Sequence, residues 1–299
     1  MTNHRHAGQR DVRLAERFEA ERQHLRAVAY RMLGSVTEAD DVVQQAWLRL
    51  RRSDEAQVQN LRAWLTTVVA RLCLDELRSR KSRREELVGL QLPEPVISAP
   101  DAENPEQQAL LADSVGMAML VVLDTLSPPE RLAFVLHDVF GVPFEEIAPI
   151  VGRSSATTRQ LASRARRRVR GARAKPSTSD MKRMRMVVDA FFAAARAGDF
   201  DALVATLDPD VVVRGEIGQL RVVETRGAHE AASQALMFRR LAPGARSALV
   251  SGEPGVVVFA DGRPFAVMAF TVAADRITEI YVLGNPDRLQ QMDFSVLDS

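Results

Sequence analysis

Apolar residues recur at helical spacing through the first third of the chain. In each run they fall three, four and seven positions apart, so they form one stripe along a helix. The first stripe comprises Val43, Ala46, Trp47 and Leu50. The second comprises Leu65, Val68, Val69 and Leu72, with Cys73 on the same side. With Thr37 placed to cap the first of these helices, the pattern predicts a small helical bundle over residues 12–84.

The periodicity disappears over residues 85–109, which are acidic and interrupted by prolines. We interpret this stretch as an extended linker. Helical spacing returns over residues 110–174. Ser127 and Glu130 form a capping-box pattern with Pro128 at the first helical position. The apolar positions of the helix that follows are Leu132, Val135, Leu136 and Val139.

A second, shorter amphipathic helix is predicted after Gly141. Its apolar positions are Phe144, Ile147, Ala148 and Val151. Gly152, Arg153 and Ser154 then turn the chain into a third helix. This order of helix, short helix, turn and helix predicts a helix-turn-helix.

The third helix lies in residues 151–170, which hold seven arginines and no acid. Its predicted apolar stripe is narrow and comprises Leu161, Ala165 and Val169. Its predicted surface comprises Thr157, Thr158, Arg159, Gln160, Ser163, Arg164 and Arg167. A membrane-surface helix needs larger apolar side chains, and a merely solvated helix usually interleaves acids with its bases. The pattern therefore favours a DNA-binding helix, with a solvated helix as the alternative.

After a short polar linker over residues 175–180, residues 181–291 change character. A helix over 181–197 is followed by a helix that runs into a strand. Short β-rich runs then alternate with turn residues, Asp261-Gly262 among them. We expect an antiparallel meander behind two or three helices, which is an α+β domain.

Charge is segregated along a chain whose total is nearly neutral. The 299 residues include 40 basic and 39 acidic side chains, for a net charge of +1. Residues 85–130 nevertheless contain no lysine or arginine, and residues 151–179 contain no acid. One cysteine excludes an internal disulfide and a cysteine-based zinc site. Since the sequence has no signal-peptide pattern and no apolar run of membrane-spanning length, we expect a cytoplasmic protein that does not enter a membrane.

Two regions of the chain carry a family resemblance, the first of them in two stretches and the loop between them. LRAVAYRMLGSVTEADDVVQQAWLRL (25–50) with NLRAWLTTVVARLCLDELRSRKSRR (60–84) resembles sigma region 2, and LSPPERLAFVLHDVFGVPFEEIAPIVGRSSATTRQLASRARRRV (126–169) resembles sigma region 4. LPEP (92–95) and NPDRL (285–289) resemble motifs of one group in particular. The chain thus resembles extracytoplasmic-function sigma factors of RNA polymerase that carry a C-terminal SnoaL-like domain. The resemblance implies two all-α sigma domains followed by a cone-shaped α+β barrel.

The resemblance also implies which residues contact promoter DNA. The candidates for the −35 element are Thr157, Arg159, Gln160, Ser163, Arg164 and Arg167, with Arg166 and Arg168 as further phosphate candidates. The candidates for the −10 element are Arg62, Arg71, Arg78 and Arg80. The loop 52–60 lies where such factors capture a flipped base. Trp64 has two interpretations, a base-stacking residue and a core residue, and its spacing favours the core.

The first helical stripe has a polar face that the resemblance assigns to core RNA polymerase. That face comprises Asp41, Gln44, Gln45 and Arg49. The implied partners are the clamp of the largest catalytic subunit, the flap, and promoter DNA. For Asp41, an ordinary acid near a helix N-terminus is the alternative interpretation.

In this group the C-terminal domain is implied to control the sigma domains. The implied regulatory residues are Leu92, Pro93, Glu94 and Pro95 in the linker, and Asn285, Pro286, Asp287, Arg288 and Leu289 near the end of the chain. We hypothesise that Asp287 and Arg288 help to dock this domain near LPEP. A simple turn after the last strand is the alternative for Asn285 to Asp287.

The C-terminal domain has other conceivable roles. Phe191, Phe192, Phe265, Met268 and Phe270 can line a small-molecule site, but hydrophobic core is the favoured interpretation. His229, Glu230, Asp210 and Glu216 are the residues available for acid-base catalysis, which we do not expect. We expect no cofactor and no metal. The alternatives to a sigma factor are a one-component ligand-responsive regulator and a SnoaL-type isomerase or cyclase fused to DNA-binding helices.

Overall fold

The computed structural model describes residues 2–53, 60–84, 92–100, 116–169, 178–218 and 223–297. The chain divides into two compact units. The first consists of Met1–Glu86 and Leu123–Arg170, and the second of Leu87–Val122 and Gly171–Ser299.

The first unit is helical throughout its described part. Before the linker its helices are α1 (Thr2–Leu33), α2 (Val36–Arg52) and α3 (Leu61–Arg84). After the linker they are α4 (Met117–Asp124), α5 (Pro128–Phe134), α6 (Phe144–Val151) and α7 (Ser155–Val169). The boundary between the two units lies within α4, between Val122 and Leu123. Helices α1, α2 and α3 pack on one another, and α5 packs against both α7 and α3. The two predicted sigma domains therefore share one compact unit.

Helix α2 begins at Val36, about two turns before Val43, the first residue of the predicted apolar stripe, and Thr37 is not its cap. Ser35 is the N-cap, and its Oγ accepts the amide of Glu38. Gly34, at φ 72°, ends α1 and places Ser35 in the extended conformation that a cap needs. The buried residues of α2 are Ala39, Val42, Val43, Ala46 and Leu50. Trp47 is only half-buried, with its ring 5.0 Å from that of Phe18.

Helix α5 carries the predicted capping box, since the Ser127 amide and hydroxyl both donate to Glu130 Oε2. Beyond Phe134 the helix widens into a π-helical turn over Val135–Val139. A π-helical turn holds more residues than the 3.6 of an α-helical turn, so each residue rotates by less than 100° and the predicted apolar stripe goes out of phase. Val139, predicted on the apolar stripe, is for this reason exposed, whereas Leu132, Val135 and Leu136 are buried.

The second unit joins helices to one seven-stranded sheet. Its helices are α8 (Thr178–Ala197), α9 (Phe200–Thr206), α10 (Ala228–Met237) and the single turn α11 (Pro286–Leu289), with 3₁₀ turns at Arg239–Gly244 and Ser295–Leu297. Its strands are β1 (Ile97–Ser98), β2 (Leu207–Ile217), β3 (Val223–Arg226), β4 (Ala245–Val250), β5 (Glu253–Ala260), β6 (Arg263–Ala273) and β7 (Arg276–Gly284). The strand order is β1-β4-β5-β6-β7-β2-β3. This is the expected α+β class of fold.

The predicted antiparallel meander is formed by β4 to β7. Asp261 and Gly262, with φ of 50° and 73°, make the tight turn between β5 and β6. Two pairings were not predicted. Strand β2 runs parallel to β7, and β1 from the acidic linker pairs with β4, placing Ile97 opposite Val250. The described part of that linker, residues 92–100, therefore includes a strand of the sheet.

Side chains alternate between the two faces of the sheet, which separates core from outer surface. The helices cover one face, where Phe191, Phe192 and Phe270 lie with ring centroids 5.6 to 6.0 Å apart. Val213 and Gly215 of β2 face this side and line a cavity there. By alternation, Arg214 and Glu216 of the same strand face the other way.

Candidate functional site

The turn before α7 is built by glycine and serine. Gly152 adopts φ 71°, and its amide and that of Arg153 donate to the carbonyl of Ala148. Ser154 Oγ then accepts the Thr157 amide at 3.2 Å. The predicted turn is thus present, and it presents the first residues of α7 to solvent.

Helix α7 has one buried and one exposed side. Its buried residues are Thr158, Ala162, Ala165 and Val169. Leu161, predicted on the apolar stripe, is half-buried, and Thr158, predicted on the surface, is fully buried. Thr158 tolerates burial because its hydroxyl donates to the Ser154 carbonyl at 3.0 Å. Ala165 and Val169 are therefore buried as predicted, but the stripe continues through Ala162 and Thr158 instead of Leu161.

All six candidates for the −35 element are exposed on α7. Their side chains differ in the contacts that they make within the unit. Thr157 Oγ1 hydrogen-bonds Ser154 Oγ at 2.9 Å, and the Arg159 guanidinium lies over the Phe144 ring at 5.4 Å. Within the described part of the chain, Gln160, Ser163 and Arg167 have no side-chain partner. These three are available to a ligand without breaking a contact.

Two neighbouring arginines of α7 are paired within the unit. Arg166 lies 2.6 Å from Asp138, and Arg168 lies 3.2 Å from Glu130. Burial raises the pKa of Glu130, but the hydrogen bonds from Ser127 and the charges of Arg168 and Arg164 outweigh burial and hold the pKa below its ordinary value. Arg166 and Arg168 thus fasten α7 to the π-helical turn and to α5.

The structure does not bring the four −10 candidates of α3 together. At 100° per residue, Arg71 and Arg78 share one face of the helix, and Arg62 and Arg80 lie on the opposite one. Arg62 lies 3.1 Å from the His24 ring nitrogen and 3.7 Å from Glu21.

Arg80 is half-buried. It donates to the carbonyl of Leu33 at 2.9 Å and pairs with Glu38 and Glu76. This guanidinium therefore joins the ends of α1, α2 and α3.

Arg71 and Arg78 are exposed, and Arg78 has one long contact of 3.8 Å to Asp75. Trp64, half-buried, lies seven residues before Arg71 and so on nearly the same line of the helix. Of the −10 loop, residues 54–59 lie outside the described residues. Cys73 is wholly buried in the bundle, and burial raises the pKa of its thiol.

The polar face of α2 is intact as predicted. Asp41, Gln44, Gln45 and Arg49 are all exposed, and none has a side-chain partner among the described residues. Leu48 lies among them and is 44% exposed.

A buried arginine joins the two helical segments of the first unit. Arg131 of α5 is 2% exposed. Its Nε donates to the carbonyl of Arg31 in α1 at 3.1 Å, and its Nη1 lies 3.2 Å from Asp124. Nearby, the rings of His24 and Phe140 meet edge to face at 5.2 Å. The predicted −10 and −35 segments are therefore packed together through α1 and α5.

In the second unit, a buried carboxylate joins the two motifs that the resemblance implies to be regulatory. Glu216 is 3% exposed on β2. Its Oε2 accepts the amide of Leu92 at 3.1 Å and the guanidinium of Arg288 at 2.6 Å. Glu216 was assigned to a different role in the sequence, as a residue available for catalysis. The sequence does contain a signal for this role, because Glu216 is an acidic residue within a stretch that is otherwise typical of a β-strand.

The residues around this carboxylate are held on both sides. Leu92, Pro93 and Pro95 are buried, and the Ser251 amide donates to the Val96 carbonyl at 2.7 Å. On the other side, Asn285 Oδ1 accepts the amides of Asp287 and Arg288, which closes the turn of α11.

The remaining members of the predicted set differ in exposure. Pro286 stands at the first position of α11, and Leu289 is buried. Glu94 is half-buried, whereas Asp287 is exposed and its carboxylate has no partner among the described residues.

A cavity of about 480 Å³ lies on the other face of the sheet. Phe191, Phe192, Phe265 and Met268 line this cavity, so they do not only fill the hydrophobic core. Phe270 does not line the cavity and belongs to the core. Glu230 lines it too, but His229 and Asp210 do not, and Glu216 faces away. The four acid-base candidates thus do not converge on one pocket.

No group of three or more His, Cys, Asp or Glu side chains in the described part of the chain could hold a metal ion. Among the described helices, none is both long enough and apolar enough to cross a membrane.

Comparisons with known proteins agree with this arrangement. "Sigma-70 region 2" matches residues 17–83, and "Sigma-70, region 4" matches residues 116–169. The ECF RNA polymerase sigma factor SigJ of Mycobacterium tuberculosis is 42% identical over 287 residues, which is 91% of each chain. The probable ECF sigma factor SigI of the same organism is 35% identical over 92% of this chain and 94% of its own.

A solved structure is also similar over nearly the whole length. The crystal structure of M. tuberculosis SigJ matches with a TM-score of 0.75 at 38% identity, covering 93% of this chain and 99% of that one. With both sigma regions matched and the relatives similar through the sheet unit as well, the chain belongs to the extracytoplasmic-function RNA polymerase sigma factors.

Proposed function

We propose that this chain binds core RNA polymerase in the cytoplasm and directs initiation at its promoters through the α7 surface, under control of its sheet unit. The observation that carries the proposal is the exposed face of α7, which presents Gln160, Ser163 and Arg167 without partners in the described structure. Helix α7 contains no acid. Such a surface suits a phosphate backbone and base edges.

For the −35 element we assign two roles along α7. Gln160 is the base-edge candidate because a glutamine amide can bond adenine bidentately in the major groove. Arg164 and Arg167 are the phosphate candidates, since guanidinium groups neutralise phosphates irrespective of sequence. Thr157, Ser163 and Arg159 complete the surface, with Arg159 steadied by the Phe144 ring. Arg166 and Arg168 hold the helix in place.

For the −10 element we assign the face of α3 that carries Trp64, Arg71 and Arg78. A half-buried indole in line with two exposed guanidinium groups offers one stacking surface and two phosphate contacts to an opened strand. Arg62 lies on the opposite face of α3, beside His24 and Glu21, so we leave it out of this strand-binding face. Arg80 is already engaged by Leu33, Glu38 and Glu76, so we assign it to the bundle instead.

For core polymerase we assign the α2 face of Asp41, Gln44, Gln45 and Arg49. Leu48 at its centre supplies the apolar contact, and the polar residues around it supply specificity. From the family resemblance, the clamp of the largest catalytic subunit is the partner for this face, and the flap is the partner for the second sigma segment.

The first unit has to open in order to contact both promoter elements. Roughly 25 base pairs separate them, which is about 85 Å along B-DNA. A compact unit of about 130 residues has a radius of gyration of only about 14 Å. We therefore propose that the packed first unit is the form without polymerase, and that the contact of Arg131 with the Arg31 carbonyl, which joins the two segments, breaks when the factor engages a promoter.

The sheet unit is placed to influence that opening. Residues 85–116 connect α3 to α4, and Leu92 to Ser98 of this connection lie on the sheet, held by Glu216 and by pairing with β4. A domain that holds the middle of the connection constrains both sigma segments at once. We propose this contact as the means by which the fused domain controls the factor.

Run-off transcription with purified core RNA polymerase tests the proposal on the DNA upstream of the protein's own gene. We expect transcripts that require the full chain and that are lost in a Gln160→Ala/Arg167→Ala variant and in a Gln45→Ala/Arg49→Ala variant. The charge-matched control is Arg183→Ala, which removes an exposed arginine of α8 in the other unit. If neither double variant loses transcripts, or if a genomic library yields none with the wild-type chain, the proposal is wrong.

A further inference from the structure

The cavity of the sheet unit has the size and composition of a ligand site. Its volume of about 480 Å³ lies within the range of about 300 to 1,000 Å³ that small-molecule pockets have. Its floor is aromatic and aliphatic, with Phe191, Phe192 and Met268 among the lining residues. A void of this size in a core has no packing function and forfeits dispersion contacts along its whole surface.

The mouth of the cavity is also apolar. Ile217, Val223, Met237, Phe238 and Phe265 line the cavity and are among the most exposed large apolar residues of the described chain. Met237 is 77% exposed and Val223 58% exposed. Apolar side chains around an opening, continuous with an apolar interior, favour a ligand that is apolar over most of its surface.

The polar groups of the lining limit the charge of the ligand. Three of the described lining residues have polar side chains, namely Thr225, Glu230 and Gln234, and none is an arginine, lysine or histidine. Gln234 Nε2 donates to Thr225 Oγ1 at 2.8 Å, which orients this pair and leaves the amide oxygen of Gln234 as an acceptor. Because Glu230 is the one formal charge among these residues, an anionic ligand would be repelled and would lose its hydration without compensation.

One strand carries both the cavity wall and the carboxylate that holds the linker. Val213, Gly215 and Ile217 of β2 line the cavity, and Glu216 between the last two faces the opposite side, toward Leu92 and Arg288. On β7, Gly284 lines the cavity and is followed directly by Asn285, the cap of α11. A ligand that displaces these wall residues therefore shifts the groups that bind the linker.

We propose that this cavity binds an uncharged, largely apolar small molecule, and that its occupancy is coupled to the Glu216 contact across β2. The binding step stands on the cavity alone, whereas the coupling rests on the proposed regulatory role of that contact. Coupling free energies between protein sites commonly change affinity by roughly 5- to 150-fold, and the effect is reciprocal. Perturbing Glu216 must then change ligand affinity.

Two fluorescent probes with the same skeleton test the binding step on the full chain without polymerase. N-phenyl-1-naphthylamine is uncharged, and 8-anilinonaphthalene-1-sulfonate adds one sulfonate. We expect the neutral probe to bind one site per chain, at least about tenfold more tightly than the sulfonate. Ala235→Trp, which fills the cavity from α10, should weaken the neutral probe at least about tenfold. Ala193→Trp on the exposed side of α8 is the matched control.

The outcomes are separable. If the tryptophan variant fails to fold, Ala235→Leu against Ala193→Leu gives the same comparison with a smaller side chain. Equal affinity for the two probes, or equal binding by the Ala235 and Ala193 variants, would overturn the ligand site. A concentration-dependent dimer that excludes the neutral probe would assign the apolar mouth to a second copy of the chain instead, and would also overturn it.

The coupling has its own measurement, which needs no transcription assay. Glu216→Gln keeps the side-chain volume and removes the charge, and we expect it to change the Kd of N-phenyl-1-naphthylamine at least about fivefold. Asp275→Asn, at an exposed turn of the same sheet, should leave the Kd unchanged. A Kd for Glu216→Gln within twofold of wild type would disprove the coupling while leaving the ligand site standing.

Discussion

Arg288 donates to the buried Oε2 of Glu216 at 2.6 Å, across 72 positions of sequence. The same oxygen accepts the Leu92 amide, so one carboxylate joins the LPEP and NPDRL segments. The ion pair is mostly shielded from water, since the side chains are 21% and 4% exposed. Removing one partner leaves the other charge poorly solvated, which is the costly case for such a pair.

We expect Arg288→Met to release the linker segment 92–98 from the sheet. Its amide hydrogens should exchange at least about tenfold faster in mass-spectrometric hydrogen exchange, which corresponds to about 1.4 kcal/mol. Asp287→Ala provides the contrast at the adjacent position, because the carboxylate of Asp287 has no partner among the described residues. Equal protection of the segment in both variants would refute our assignment of the docking contact to Arg288.

For the −35 surface we predict that two substitutions act differently. Arg167→Ala should weaken binding to all DNA sequences about equally and reduce the slope of log affinity against log salt by about 1. Gln160→Ala should cost about 1–3 kcal/mol at one base pair and relax specificity there. Fluorescence anisotropy with a set of −35 duplexes at several salt concentrations measures both effects. If the Gln160→Ala variant discriminates between bases as well as wild type does, Gln160 does not take part in base recognition.

For the −10 segment, Arg71 and Arg80 should separate into a DNA-binding and a structural residue. Arg71→Ala should reduce open-complex formation, measured with permanganate, without changing the melting temperature. Arg80→Ala should lower the stability of the first unit by about 2 kcal/mol, because it leaves the Leu33 carbonyl, Glu38 and Glu76 without this donor. Our assignment fails if Arg80→Ala melts at the wild-type temperature and loses strand opening.

Helical arithmetic on the sequence could have separated these two arginines, but burial could not be read from the pattern. Arg71 and Arg80 stand nine residues apart, which is half a turn out of phase. Which of the two faces is covered depends on where α1 and α2 pack. The same limit explains Thr158, whose burial requires the Ser154 carbonyl as its partner, and Val139, which the π-helical turn rotates into solvent.

Local signals predicted the elements that depend on local chemistry. The Ser127–Glu130 capping box, the Gly152 turn and the β4 to β7 meander are all present. Contacts between residues far apart in the sequence were not predictable, because the alternation of apolar and polar residues identifies a strand but not the strand it pairs with. Strand β1 pairing with β4 is one case. Glu216 is another, since the family resemblance pointed to the two motifs but not to the carboxylate between them.

Stability of the first unit should depend on pH through Glu130. Its pKa in the folded chain lies below the ordinary value of 4.5, so its ionised form stabilises the fold. This contribution is fully present above the unfolded pKa and is lost as pH falls below about 4.5 through the lower folded pKa. Between pH 6 and pH 3 we expect the free energy of urea unfolding to fall more for wild type than for Glu130→Gln. Parallel pH profiles for the two chains would show that the carboxylate contributes nothing.

Arg131 should stabilise the packed first unit and at the same time oppose initiation. In an Arg131→Met variant the Arg31 carbonyl and Asp124 lose their buried donor, which should cost about 3 kcal/mol. If the packed form must open before both promoter elements are contacted, a weaker junction raises the open fraction and so the apparent affinity for promoter in the presence of polymerase. The variant should then melt at a lower temperature yet initiate more efficiently per folded molecule.

The control for this prediction is Val43→Ala, which destabilises α2 within the first bundle but does not touch the junction. Calorimetric melting and abortive initiation on the same preparations give stability and activity together. If both variants only lose stability, initiation falls in both in proportion to the unfolded fraction. If the Arg131 junction opposes initiation, initiation rises in Arg131→Met and falls in Val43→Ala. If Arg131→Met loses initiation in the same proportion to its loss of stability as Val43→Ala does, the packed unit is not an obstacle to initiation. Control by the sheet unit then has to act at another step.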